Sequence, residues 1–204
     1  MRPVLVILLI GWAGQASSHG TLDDGGSFYT GVAHPFVAFE HLLALLGLGL
    51  LVGKLRDQNI GFAATALLVG LLVGVLSQTL ISAGFSVALF GFTLIAGVSL
   101  AVAPAIPAGI IIAAAMAVGG LVGADTDVLS ATDATLTTRA LAAAGLVIGA
   151  LVIALNLAAL SRYLMQQNWD ILPRVAGSWI AAIAILGLTL TLTGVSGERT
   201  GAMQ

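Results

Sequence analysis

The sequence predicts an all-α integral membrane protein, a bundle of six helices behind a cleaved N-terminal signal peptide. Three observations predict it. Of 204 residues, 59% are hydrophobic and only 8% charged, against roughly 25% charged in an ordinary soluble domain. With a mean hydropathy of +1.10, the chain lacks the polar side chains to cover a globule in water, so hydrocarbon is the solvent its surface suits. Apolar segments close to the length needed to cross a bilayer recur six times, and the cations between them sort to alternate breaks.

Met1 and Arg2 make a short positive start, Pro3 to Trp12 is apolar, and Ala16-Ser17-Ser18 supplies small residues for cleavage. This pattern reads as a secretory signal peptide over 1–18, leaving 19–204 as one domain. An uncleaved first membrane helix is the alternative, but the apolar stretch falls short of the roughly 20 residues a span needs. Cleavage after Ser18 makes His19 the first mature residue, where α-amine and imidazole together chelate a divalent metal. Cleavage after Ala16 puts His19 third, also a chelating arrangement, and the plain alternative is a solvated His19.

The six spans fall at about 32–52, 60–80, 85–103, 106–123, 136–160 and 175–194. Turn chemistry separates them: Lys54 to Asn59, Ser82-Ala83-Gly84, Pro104 with Pro107, Asp125 to Asp133, and Gln166 to Pro173. If the signal peptide exports the N-terminus, the first, third and fifth connections are cytoplasmic, and these hold Lys54, Arg56, Arg162 and Arg174. The other side holds Arg139, Arg199, Asp23, Asp24, Asp125, Asp127, Asp133 and Glu198. Both signals place the two termini outside a bacterial-type inner (plasma) membrane. Gly70 with Gly74 and Gly145 with Gly149 let helix backbones approach closely, either inside the bundle or at a dimer seam. Gln78, Asn156, Ser178 and the Thr189, Thr191, Thr193 series read mostly as interhelical hydrogen bonds.

Several functions are excluded. A net charge of −2 offers no basic stripe for nucleic acid. The absence of Cys removes disulfides and thiolate chemistry and leaves His and carboxylates as the strong metal ligands. No phosphate loop or nucleotide motif appears, and no arrangement of nucleophile, base and oxyanion donors points to an enzyme.

The apolar pattern breaks hard once, in Gly31-Val32-Ala33-His34-Pro35-Phe36-Val37-Ala38-Phe39-Glu40-His41. A charge within a span costs at least about 2.5 kcal/mol, so ionisable residues there face a cavity or a partner. Pro35 suits a first helical turn, with His34 as N-cap at the outer edge. His34 and His41 then share a face about 10.5 Å apart along the axis, too far for one ion unless the helix distorts at Pro35. Glu40 either completes a site or orients an imidazole. Such ligands suit Ni, Co, Fe or Zn without choosing among them, and a buried structural Glu40/His41 pair is the alternative.

This segment resembles the HupE/UreJ family, membrane proteins associated with hydrogenase and urease maturation and regarded as permeases for nickel, cobalt or related ions. The family pattern His-Pro-x-x-Gly-x-Asp-His is met by His34, Pro35, Ala38 in place of Gly, Glu40 in place of Asp, and His41. A second pattern, His-Gly-x-Ala-His-Gly-x-Glu, finds its best match in Val118 to Asp125, which keeps glycines and the final acid but has Val118 and Val122 at the His positions. A Glu common at the start of the third span aligns loosely with Ser86. The resemblance implies a permease or facilitator for a divalent transition-metal ion, with His19, His34, Glu40 and His41 as metal ligands and the bilayer, the ion and a maturation system as partners. Asp125 and Asp127 read as outer-mouth acids that concentrate cations or simply solvate their loop. Replacement of the second His pair keeps two other readings open: a non-transporting, metal-holding accessory protein and a pore for a small neutral solute.

Overall fold

The computed structural model describes residues 24–78, 85–126 and 135–193. The expected signal peptide, His19 and Asp127 lie outside the described residues. Seven helices follow one another: α1 (Asp24–Val37), α2 (Phe39–Val52), α3 (Asp57–Ser77), α4 (Ser86–Val102), α5 (Ala108–Ala124), α6 (Leu136–Gln166) and α7 (Ile171–Leu192). Among the described residues there is no strand. α3, α6 and α7 are long and apolar enough to cross a membrane, α1 with α2 passes as a bent pair, and α4 and α5 are shorter apolar helices of 17 residues.

The first expected span is therefore two helices. Instead of starting at His34, the chain is helical from Asp24, and His34 and Pro35 occupy the last turn of α1. A proline lacks the N–H that would bond one turn back and crowds the preceding turn. Ala38 then leaves the helical conformation (φ −71°, ψ 105°), and α2 departs at 73° to α1. Ala38 N–H still bonds the His34 carbonyl at 2.9 Å, and Leu42 N–H the Ala38 carbonyl at 3.0 Å.

Glycines set the helix pairing. A Cβ on Gly70 or Gly74 of α3 would collide with the carbonyls of Met116 and Gly120, and one on Gly119 or Gly123 of α5 with those of Leu67 and Leu71. These two helices run parallel with backbones in contact. α1 lies on α6 in the same way, through Gly31, Gly145 and Gly149, and α2 on α6 through Gly49 and Gly53. Gly97 and Gly177 join α4 to α7, which run antiparallel. Small residues at these seams gain dispersion contacts that lipid cannot offer, and they serve internal packing. The contacts make α2, α4 and α6 run one way and α3, α5 and α7 the other.

The core between these pairs is made of apolar side chains. Ala44, Leu45 and Leu48 of α2, Leu71 of α3, Leu89 of α4, Val118 and Val122 of α5 and Leu146 of α6 are all fully buried. Large apolar side chains such as Phe62, Ile95, Trp179 and Leu192 point outward and are exposed. The hydroxyls expected between helices mostly stay on their own: Ser178, Thr189, Thr191 and Thr193 bond carbonyls one turn back, and Asn156 donates to Val152 O. A hydroxyl satisfied in this way can face hydrocarbon without a partner helix. Gln78 is the exception, donating to Gly123 O at 2.7 Å, and Ser161, outside the expected set, donates to Leu50 O at 3.0 Å.

Candidate functional site

The break at Ala38 decides what the polar motif can do. On one straight helix His34 and His41 would sit two turns apart; across the bend their ring centroids are 5.3 Å apart, with the planes tilted by 50°. His41 is 1% exposed and its Nε2 lies 3.1 Å from Oδ2 of Asp125, the residue that follows α5. His41 Nδ1 is buried and has no hydrogen-bond partner among the described residues. The partially buried Glu40 meets the N-terminus of α4, where Ser86 Oγ donates to its Oε1 at a long 3.4 Å.

Asp125 is the junction of the site. Its second oxygen, Oδ1, accepts the backbone N–H of Phe85 at 2.9 Å, just ahead of α4. One carboxylate thus ties together α2, α5 and the approach to α4. Burial, the largest single influence, pushes its pKa up; the hydrogen bonds from His41 and Phe85 and the charges of His41 and His34 outweigh it and hold the carboxyl below its ordinary value. Gln78, at the end of α3, also donates to Thr126 Oγ1, and Thr126 in turn donates to Gly123 O at 2.8 Å. The ends of α2, α3, α4 and α5 therefore meet in one polar layer.

Among the residues expected as metal ligands, His34 and His41 come side by side and Glu40 faces Ser86 instead, while His19 lies outside the described residues. Of the two expected mouth acids, Asp125 is 13% exposed and engaged with His41; this is closer than solvation of a loop. Among the described residues no group of three or more His, Cys, Asp and Glu side chains is close enough to hold a metal ion. The donors are paired, His34 beside His41 and His41 on Asp125, so a divalent ion needs the His41–Asp125 pair to open or the free Nδ1 to turn toward it. The imidazole and carboxylate donor set suits a first-row divalent ion.

Beneath this layer the packing is apolar. Val122 and Val118, one and two turns before Asp125 on α5, are both 0% exposed, and Leu45 and Leu48 fill the same depth on α2. Asp125 as the partner of His41, Thr126 and the Phe85 N–H escaped sequence reasoning because their signal is spatial; His41 and Asp125 are 84 residues apart. The alignment of Asp125 with the final acid of the second family pattern and the loose alignment of Ser86 with a family carboxylate were the clues, since Ser86 stands opposite Glu40.

Compared with curated proteins and with solved structures, the chain matches none. The family model described as HupE / UreJ protein matches residues 7–190, which takes in all of α1 to α6 and nearly all of α7. The chain belongs to the HupE/UreJ family.

Proposed function

We propose that this chain is a membrane permease or facilitator that admits a divalent transition-metal ion of the nickel, cobalt or iron class, received by His34, Glu40, His41 and Asp125 at the outer end of a six-span bundle. The single observation that carries the reading is the bend at Ala38, which brings two imidazoles to 5.3 Å between ring centroids, among described residues whose buried side chains are mostly apolar. Family membership supports the cargo class. In this orientation Lys54, Arg56, Arg162 and Arg174 face the cytoplasm. The membrane potential then favours cation entry by about 2.3 kcal/mol per charge per 100 mV, so no nucleotide is required.

Uptake of Ni²⁺ or Co²⁺ into proteoliposomes tests this reading. Wild-type protein gives saturable uptake, and His34→Ala with His41→Ala abolishes it; equal uptake by that variant would sink the assignment of the site. A second reading is favoured by Val118 and Val122, which are fully buried beneath the site. In that reading the protein holds a metal at the membrane for a maturation partner, and metal binding without flux across a sealed vesicle decides for it.

A further inference from the structure

We propose that the end of the bundle opposite the histidines carries a second binding site, for the phosphate group of an anionic membrane lipid, built around Lys54 and Arg174. It rests on the reading above only in assigning this end to the cytoplasmic leaflet. A cavity of about 170 Å³ opens between the turn joining α2 to α3 and the connection from α4 to α5, lined by Lys54, Leu55, Pro104, Ala105, Ile106 and Ile111. Lys54 is the charged residue of that lining, and its ammonium forms no hydrogen bond or ion pair among the described residues.

Arg174, in the first turn of α7, is fixed beside the same connection by donating from Nε to Ala101 O at 3.2 Å, three residues before Pro104. Partial burial, and after it the charge of Arg174, lower the pKa of Lys54. The two cations thus disfavour each other's charge, and the acid nearest in sequence, Asp57, is turned away to Arg162. α5 begins at Ala108, two residues past Ile106, so the positive end of its dipole adds to the same field. An anion completes this arrangement. The walls contributed by Leu55, Ala105, Ile106 and Ile111 are apolar, which suits the glycerol and first acyl carbons of a lipid and offers nothing to a fully hydrated inorganic phosphate. Basic pockets between membrane helices on the cytoplasmic side recognise lipid headgroups in this way.

The test is a titration of the purified full chain in neutral detergent with phosphatidylglycerol, phosphatidylcholine or inorganic phosphate, read by native mass spectrometry and by melting temperature. Phosphatidylglycerol is expected to bind saturably and raise the melting temperature where phosphatidylcholine does not. Lys54→Met should weaken that binding about fivefold, addition of Arg174→Gln should weaken it further, and Lys54→Arg should retain it. Equal responses to the two lipids, or an undiminished response in the double variant, overturn the proposal. A saturable response to inorganic phosphate matching that to phosphatidylglycerol also overturns it, replacing the lipid with a soluble anion. If the Met variant does not fold, photoactivatable phosphatidylglycerol on the wild-type chain decides, since labelling away from residues 54–56, 104–111 and 171–175 refutes the site. Metal uptake is a separate readout, so failure of the permease reading leaves this titration intact.

Discussion

The imidazoles of His34 and His41 stand seven residues apart in sequence and 5.3 Å apart between ring centroids, because the helix carrying them bends by 73° at Ala38. His41 reaches Asp125 from one side of the bend, while His34 stays with α1 on the surface of α6. The two donors therefore approach each other from different helices, and any change in the bend changes their separation directly.

The His41–Asp125 pair is expected to support the fold as well as the site. Asp125→Ala leaves a fully buried imidazole without its partner and frees the Phe85 N–H, a loss of about 1–3 kcal/mol for the orphaned groups. Thermal unfolding in detergent checks this, and a cycle with His41→Ala should show non-additive losses. Additive losses would mean that the pair contributes nothing jointly.

The same carboxylate predicts an acid dependence. Its folded pKa lies below the ordinary value of 3.8, so its stabilisation is fully present above that value and is lost as the pH falls through the lower, folded one. Melting temperatures of wild type and Asp125→Asn should differ most at neutral pH and converge on acidification. A gap that widens below pH 4 would contradict the sign.

Glycine substitutions should divide by position. Gly70→Ala drives a Cβ into the Met116 carbonyl and forces α3 from α5, giving a marked loss of folded protein. Gly91→Ala, within α4, meets nothing within 4 Å and should stabilise by about 0.5–1 kcal/mol through lower chain entropy. Melting temperatures shifting in the same direction for both would refute the seam.

At the opposite end Arg162 donates to the carbonyl of Leu55 at 3.0 Å and also touches Asp57. Asp57 is 83% exposed, so Asp57→Ala should cost less than about 0.5 kcal/mol. Removal of Arg162 strands a half-buried carbonyl and should cost about 1–3 kcal/mol. Chemical denaturation of the two variants tests the order.

Val122→His places an imidazole one turn below Asp125, in the apolar layer. Tighter retention of Co²⁺ by the purified protein is expected, measured by elemental analysis after dialysis. Unchanged retention would show that the layer does not communicate with the site.

Much of this fold was legible in the sequence, because hydropathy over some 20 residues reports a helix whatever its neighbours do. The expected spans at 60–80, 85–103, 106–123, 136–160 and 175–194 each meet a helix whose ends lie within a few residues, save α6, which continues to Gln166. The break inside the first span was not legible, because the same averaging cannot see a break of one residue, and Ala38 carries no turn chemistry. Pro35 pointed to the right neighbourhood but suggested a helix start, where the structure has a helix end. His34, Glu40 and His41 were legible because charge is conspicuous in an apolar run. The place of Asp125 was not, since a loop acid and a buried clamp look alike until the fold brings His41 to one of them.

The glycine seams sort the helices into three tightly joined bodies, one of α1, α2 and α6, one of α3 and α5, and one of α4 and α7. The polar layer draws His34, Glu40 and His41 from the first, Gln78, Asp125 and Thr126 from the second, and Phe85 and Ser86 from the third. Sliding within a body would tear backbone from backbone, whereas sliding between bodies disturbs mostly side chains. A cation that drew Asp125 from His41 or Phe85 would therefore loosen a three-way latch, and its arrival would be felt as a rearrangement of whole bodies rather than as the turn of one side chain.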